Sequence, residues 1–506
     1  MAAQRQKVTS PASVFYKTPY CAPSIPASKS GAMKRQFLII SLALGLTLPQ
    51  AVNAAEIPGS FTRQSPTPAA ANLSQWWLSF HDSQLNALIN DALAGNPTLT
   101  AATARVREAR ARRLAAAGDF FPQLGGSFGA ARTQNSANGR FGNGTTSPPS
   151  NLFNLSLDAS WEIDVFGVTR HSVAAAGAQA QAQEEARRDV IISLIAELTS
   201  NYIELRGLQA QLAVLNANLT SQQKTVELTK SRLEAGLSPE LVVAQSEAQL
   251  AITRASIPTV QSGIAQAIHR IGTLTGKPAG TYLESLQNAK SIPTGPSSVP
   301  AGLPSDLLQR RPDVRQAERT YAAATSQVGA ARAARFPKFS IGTSVGFESN
   351  KTGNLTDRDS QTWSVGPQLS IPLFTGGKLK QNQRAAEAAR DQAQATWDAA
   401  VLGAIEDVET ALVDYRQSQA RVEALRAAEK ASNRSYELAN ELFKNGLGDF
   451  LNVLEAQRSQ LNAQEQVVIA QRAVSLGLVK LYKALGGGWE GDLPQQPAGQ
   501  VPVGTK

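Results

Sequence analysis

The sequence predicts an α+β chain built as two tandem repeats, each with long antiparallel helices and a pair of β-strands. Three observations carry that reading. The chain resembles itself at an offset of about 210–215 residues. Two proline-free stretches, Gly167–Glu234 and Gly377–Asn445, hold helical patterning throughout. Four shorter segments alternate apolar and polar residues with a period of two, as strands with one wet face do.

The repeat rests on shared landmarks. Asn96-Pro97 falls on Arg311-Pro312 and Phe121-Pro122 on Phe336-Pro337, with an Ala/Arg-rich helical segment between each pair. Further on, Gly236-Leu237 matches Gly446-Leu447, Leu241 matches Leu451, and Val243 matches Val453. The slip between the two offsets falls in polar loops, where insertions are tolerated. A Pro/Ser/Gly linker, Lys277–Pro304, separates the copies. The expected organisation is an extension or misassigned start at 1–32, a signal peptide at 33–54 and an N-terminal tail at 55–75. The first repeat then occupies 76–276, the linker 277–302, the second repeat 303–488 and a C-terminal tail 489–506.

The elements follow in order. Met33-Lys34-Arg35, the apolar run Phe37–Leu48 and Pro49–Ala54 have the basic, apolar and small-residue regions of a secretory signal, cleaved after Ala54. The apolar run is shorter than the roughly 20 residues that a membrane helix needs. Cys21 is the only cysteine and precedes that signal, so the mature chain holds no disulfide framework and no lipid-acceptor thiol. A first helix is expected from Asp82 to Gly118, broken at Asn96-Pro97. Strands are expected at Gln123–Arg132 and Phe153–Asp164, then at Lys338–Glu348 and Trp363–Ile371. Polar loops at Thr133–Ser150 and Ser349–Gln361 join them as hairpin tips. Return helices are expected at Pro239–Leu274, ended or kinked at Pro258, and at Asp449–Leu485.

Ten or so residues of alternation with acidic side chains on the polar face suit an outer-membrane strand facing a wet lumen, although a half-buried soluble strand also alternates. Trp161 and Trp363 fit an aromatic girdle or a packing role between subunits. Four strands do not close a barrel, and open edges are not tolerated in lipid. The chain must therefore assemble, and three copies supply twelve strands, an even number in the bacterial range. Each long helix spans roughly 100 Å at 1.5 Å per residue and needs coiled-coil partners.

Charge and motifs limit the function. The formal net charge of +9 is concentrated at the N-terminus: Arg5, Lys7, Lys17, Lys29, Lys34 and Arg35 leave 43 basic against 40 acidic residues beyond position 54. Nucleic-acid binding is not supported. His81, His171 and His269 lack metal-ligand spacing. No Gly-x-Ser-x-Gly elbow, phosphate loop or zinc-ligand motif is expected, which leaves a catalytic carboxylate pair as the open enzymatic alternative. A soluble cytoskeletal coiled coil would explain the helices but neither the signal nor the strands.

Particular stretches resemble the TolC-type outer-membrane factors, in the NodT-like branch serving resistance-nodulation-division pumps. They are Trp76-Trp77 with Phe80, Trp161–Gly167, Gly302–Val314 and Gly446–Gln457, within a likeness covering about Leu73 to Gly488. The resemblance implies a homotrimer with a twelve-stranded barrel in outer-membrane lipid and a helical tunnel through the periplasm. It implies a passive exit duct for small molecules, without cofactor, fed by an inner-membrane transporter and a periplasmic adaptor. The protein-secretion branch of the same fold is the nearer alternative, and a periplasmic enzyme the remote one. Many members of this branch are lipoproteins; the missing acceptor cysteine departs from them. The resemblance also places a periplasmic gate just after the second helix turn. Glu455 matches the position whose carboxylates ring the constriction, Leu451 lies one turn earlier, and Asp449 is a further candidate. Asn452 stands where some relatives carry Asp. The turns at Gly236-Leu237 and Gly446-Leu447 are the implied docking points for the adaptor.

Overall fold

A computed structural model describes residues 73–136, 138, 148–299, 302 and 304–489, all within the unit Ala54–Lys506. The expected signal peptide, the extension before it, the cleavage point and most of both tails lie outside the described residues.

After a 3-10 turn at Trp76–Phe80, α1 (Ser83–Gly95) and α2 (Pro97–Gly118) open the first repeat. The break between them is where Asn96-Pro97 places it. Asn96 Oδ1 accepts from the Leu99 amide at 3.0 Å, its Nδ2 donates to the Leu274 carbonyl at 2.8 Å, and Pro97 takes the first helical position. Such a proline loses no helical hydrogen bond. There follow β1 (Gln123–Thr133), β2 (Ser150–Ile163), α3 (Val168–Glu234), α4 (Glu240–Leu274) and the short α5 (Leu283–Leu286). The second repeat consists of the short α6 (Leu307–Arg310), then α7 (Pro312–Ala333), β3 (Lys338–Ser349), β4 (Gln361–Ser370), α8 (Lys378–Lys444) and α9 (Phe450–Ala484). The repeats correspond in length: α2 and α7 have 22 residues each, α3 and α8 have 67, and α4 and α9 have 35.

Of the two alternatives at Pro258, the helix end is excluded: α4 runs on through the proline to Leu274. The proline removes one hydrogen bond, to the Arg254 carbonyl. Burial of Thr253 before it and Val260 after it holds both halves of the helix in place. Tertiary packing outweighs one lost bond.

The strands form one antiparallel sheet in the order β1-β2-β3-β4. Register places Gly126, Leu157, Val345 and Trp363 in one row, and Leu124, Ala159, Thr343 and Val365 in another. Rows of the opposite parity carry Ser127, Ser156, Gly346 and Thr362, while Asp158 pairs with Ser344. One face is thus apolar and the other polar across all four strands, and the apolar side chains are exposed: Leu124, Leu157, Val345, Trp363 and Val365. No helix among the described residues is long and apolar enough to cross a membrane.

The main core lies where α1, α3, α4, α7, α8 and α9 meet away from the hairpin turns. Trp76 stacks on Tyr482 there, ring centroids 5.0 Å apart. Arg206 is wholly buried in this region and donates to Gln84, Tyr202, Gln209 and the Asn288 carbonyl, while Tyr202 donates to Asp82 at 2.7 Å. The network ties the linker after α5 to α1 and α3. A second, smaller core lies at the turns: Phe443, Phe450, Val453 and Leu454, with Leu228, Val242, Tyr436 and Ala439 against them.

Candidate functional site

Both hairpin turns are built alike. At α3–α4, Gly236 adopts φ +72°, its amide donates to Leu233 O at 2.9 Å, and the Leu237 amide donates to Arg232 O at 2.8 Å. At α8–α9, Gly446 adopts φ +73°, with Gly446 N to Phe443 O at 3.0 Å and Leu447 N to Leu442 O at 2.9 Å. This paired closure satisfies the last carbonyls of each long helix and requires a left-handed residue, which glycine supplies without steric strain. It also turns the next side chain outward: Leu237 is 69 % and Leu447 78 % exposed.

Past the second turn, Asp449 caps α9 by accepting from the Leu451 amide at 3.2 Å. The first repeat has Pro239 at the corresponding place. Leu451, Asn452 and Glu455 are exposed on the first turns of α9, whereas Val453 and Leu454 face the small core. Leu451 and Glu455, four residues apart, share a helix face. Glu455 makes no ion pair among the described residues. The sequence-derived candidates therefore fall on one end of the hairpins. Asp449 is engaged in capping, while Leu451, Asn452 and Glu455 have free side chains facing away from the protomer's own core.

Two tip residues were not legible in the sequence. Arg232, on the last turn of α3, lays its guanidinium 4.7 Å from the Phe443 ring centroid and donates to Phe443 O at 3.0 Å and Lys444 O at 3.4 Å. It caps the C-terminus of α8 and so fastens one hairpin to the other. Phe443 in turn meets Phe450 at 5.3 Å. Higher up, Arg458 Nε donates to Gln249 Oε1 at 2.8 Å, and Ser221 and Tyr436 hydroxyls lie 3.0 Å apart.

A charged cavity of about 270 Å³ lies at the other end of α9. Arg311 bridges Asp313 at 2.6 Å and Asp407 at 3.0 Å and donates to Ala484 O at 3.1 Å, joining α7, α8 and α9. Asp189 lines the same cavity; burial, and then the Asp313 charge, push its carboxyl above the ordinary range, against the pull of Lys483 and Arg311. The expected absence of a Gly-x-Ser-x-Gly run is corrected: Gly342-Thr343-Ser344-Val345-Gly346 has that spelling, but it lies inside β3, paired on both sides. Ser344 is not on a strand-to-helix turn, so it lacks the exposure that chemistry requires. Among the described residues no group of three or more His, Cys, Asp or Glu is placed to hold a metal.

A sheet with one apolar and one polar face, open at both edges, joined to helices of about 100 Å, defines the protomer of an outer-membrane channel. The chain belongs to the outer membrane efflux protein family, whose profile matches residues 88–277 and 303–487. It is 31 % identical over 419 residues to Nodulation protein T of Rhizobium leguminosarum bv. trifolii, covering 82 % of this chain and 88 % of that one. It is 31 % identical over 430 residues to the pyoverdine export outer membrane protein OpmQ of Pseudomonas aeruginosa, covering 84 % and 89 %. Among solved structures, the outer-membrane channel OprN superposes with a TM-score of 0.78 at 34 % identity, over 85 % of this chain and 99 % of that one. The outer membrane protein VceC of Vibrio cholerae gives 0.76 at 27 %, over 84 % and 100 %. The chain is accordingly an efflux exit duct of the outer membrane, with the fold of the TolC-like channels and long helices in the periplasm.

Proposed function

We propose that three copies of the chain close into a twelve-stranded barrel and a helical tunnel, and that this duct passively conducts small molecules. An inner-membrane resistance-nodulation-division transporter supplies the energy, and a periplasmic adaptor docks on the hairpin tips around Gly236, Leu237, Gly446 and Leu447. The observation that carries the reading is the sheet. Among the described residues its edges β1 and β4 are both unpaired while its apolar face is exposed. In lipid such edges must pair, and only further copies of the same sheet can do so. The apolar face then meets outer-membrane lipid and the polar face the lumen. No catalytic step and no cofactor enters this account. Curated relatives are named for pyoverdine, antibiotic and toluene efflux. That spread of cargo supports a duct that conducts what it is given rather than selecting it.

Within this reading Leu451, Asn452 and Glu455 line the constriction at the periplasmic end, with Asp449 holding the start of their helix. Three symmetry-related carboxylates at Glu455 form a ring that attracts cations and repels anions. Glu455→Ala is expected to raise single-channel conductance and lower cation preference in planar bilayers. Unchanged conductance and selectivity would return Glu455 to an ordinary solvated helix face.

A further inference from the structure

The internal repeat contains one docked aromatic and one undocked counterpart. Each repeat passes from its second strand into its long helix through a similar segment: Ile163-Asp164-Val165-Phe166-Gly167 in the first, Ile371-Pro372-Leu373-Phe374-Thr375-Gly376-Gly377 in the second. Both end on glycines with positive φ, +90° at Gly167 and +82° at Gly377. In the first repeat the aromatic is seated. Phe166 stacks on Phe336 at 4.9 Å and 15° and on Phe339 at 6.4 Å and 27°. Those two residues lie at the foot of β3, the next strand in the sheet, where Ile163 pairs with Phe339.

The second repeat has the same aromatic and no seat. Phe374 is 91 % and Leu373 90 % exposed, and Phe374 stacks on no ring among the described residues. Its strand, β4, is the last in the sheet, so no next strand exists among the described residues. The residues that would form the seat nevertheless exist. Phe121 and Leu124 stand at the foot of β1 where Phe336 and Phe339 stand at the foot of β3, and they are 68 % and 74 % exposed. β1 is the other free edge.

We propose that Phe374 of one protomer stacks against Phe121 and Leu124 of the next, repeating across the subunit boundary the contact that Phe166 makes within the chain. This rests on the trimer reading above and gives it a residue-level contact. Carrying the β2–β3 register over by the repeat correspondence places Ile371 opposite Leu124 and Leu369 opposite Gly126 of the neighbour. The parity agrees: Leu369, Leu124 and Gly126 are apolar-face positions of β4 and β1, and Ile371, one residue past β4, keeps that parity, so the match continues one apolar surface across the boundary. A register slip of one residue would put apolar against polar faces. An exposed Phe–Leu pair beside an exposed Phe–Leu seat is buried on both sides by this one contact.

The test uses the full-length chain with Cys21→Ser, extracted in mild detergent. Phe374→Cys and Phe121→Cys are combined and treated with a short bifunctional methanethiosulfonate. Native mass spectrometry reads the oligomer before treatment, and a denaturing gel reads covalent species afterwards. Phe166→Cys with Phe336→Cys, linked within one chain and scored by peptide mass, establishes that the reagent spans this contact. The expected result is a trimer giving covalent dimers and trimers at least fivefold above either single variant. A trimer whose double variant links no better than the single variants overturns the proposal and leaves the trimer standing. Linkage of Phe374→Cys to itself would also overturn it. A monomer before treatment overturns the trimer reading and this contact with it.

Discussion

At the scale of single residues, the chain keeps few charges where they are awkward, and Asp189 is the clearest. Its carboxyl is raised by burial and by Asp313. For an acid whose folded value lies above its unfolded one, the folded state binds the extra proton. Stability therefore falls as pH rises from the ordinary carboxylate range through the folded value, and the penalty is fully present above it. Asp189→Asn is expected to raise the melting temperature at pH 7. That gain should shrink below about pH 4, where Asp189 is protonated whether folded or not. A variant that melts lower at pH 7 would mean that the pull of Lys483 and Arg311 dominates. Glu455 stands at the opposite extreme, exposed and without an ion pair among the described residues, which is why its replacement is read by conductance rather than by stability.

At the scale of elements, the hairpins are not uniformly packed. Between the main core and the small core at the turns, the buried positions of α3 include the polar Asn218, Gln222 and Thr225 beside Leu215 and Val226, and Gln249 and Thr253 of α4 and Gln457 of α9 are buried too. Thr229 and Ser246 hydroxyls at 3.0 Å set the α3–α4 level, and Asn218 donating to Gln464 at 2.7 Å sets that of α3 and α9. The first level brings Gln222 abreast of Thr253, and the second brings Gln457 abreast of Thr225, about one turn away. Among the described residues neither amide atom of Gln222 finds a partner, nor do Thr253 Oγ1 and Gln457 Nε2. A buried unpaired polar group costs about 1–3 kcal/mol. Gln222→Leu is thus expected to raise thermal stability and to slow amide exchange around the turns. Faster exchange with a lower melting temperature would show that the amide has a bonding role. Much of this level was readable beforehand. Asn96-Pro97 names its own break, because the cap and the proline act locally. The glycines at the turns are equally local. Arg232 was not readable, because its partners Phe443 and Lys444 are 211 and 212 residues away. Pro258 as a helix end was misread for the same reason: what carries α4 on past it is packing, which the local sequence does not carry. The burial of Arg206 was not readable either, since it donates to Gln84 and to the Asn288 carbonyl, 122 and 82 residues away.

At the scale of the whole molecule, the sheet is half of a statement that other copies complete. Detergent-extracted protein is expected to sediment and weigh as a trimer; a monomer under mild detergent would undo the barrel argument. The family and the duct function were legible in the sequence because the duplicated landmarks and the turn motif are short and contiguous. The proposed closing contacts were not, since they join residues of different chains. Function at this scale needs no reactive centre. What the molecule contributes is a lined path of fixed length, and the candidate gate residues matter through where they stand rather than through what they react with.

The matched helices have a consequence for descent. α3 and α8 have the same number of residues, and so do α4 and α9. Deleting one residue from a helix rotates everything beyond it by about 100°, which would turn an apolar stripe away from its neighbours. A shorter or longer duct is therefore not reached by a single insertion or deletion. It requires coordinated edits of whole turns in four helices, two per ancestral copy. Lineages crossing that barrier should be rare, and this chain's length should be among its most slowly drifting characters, slower than the identity of most residues along it.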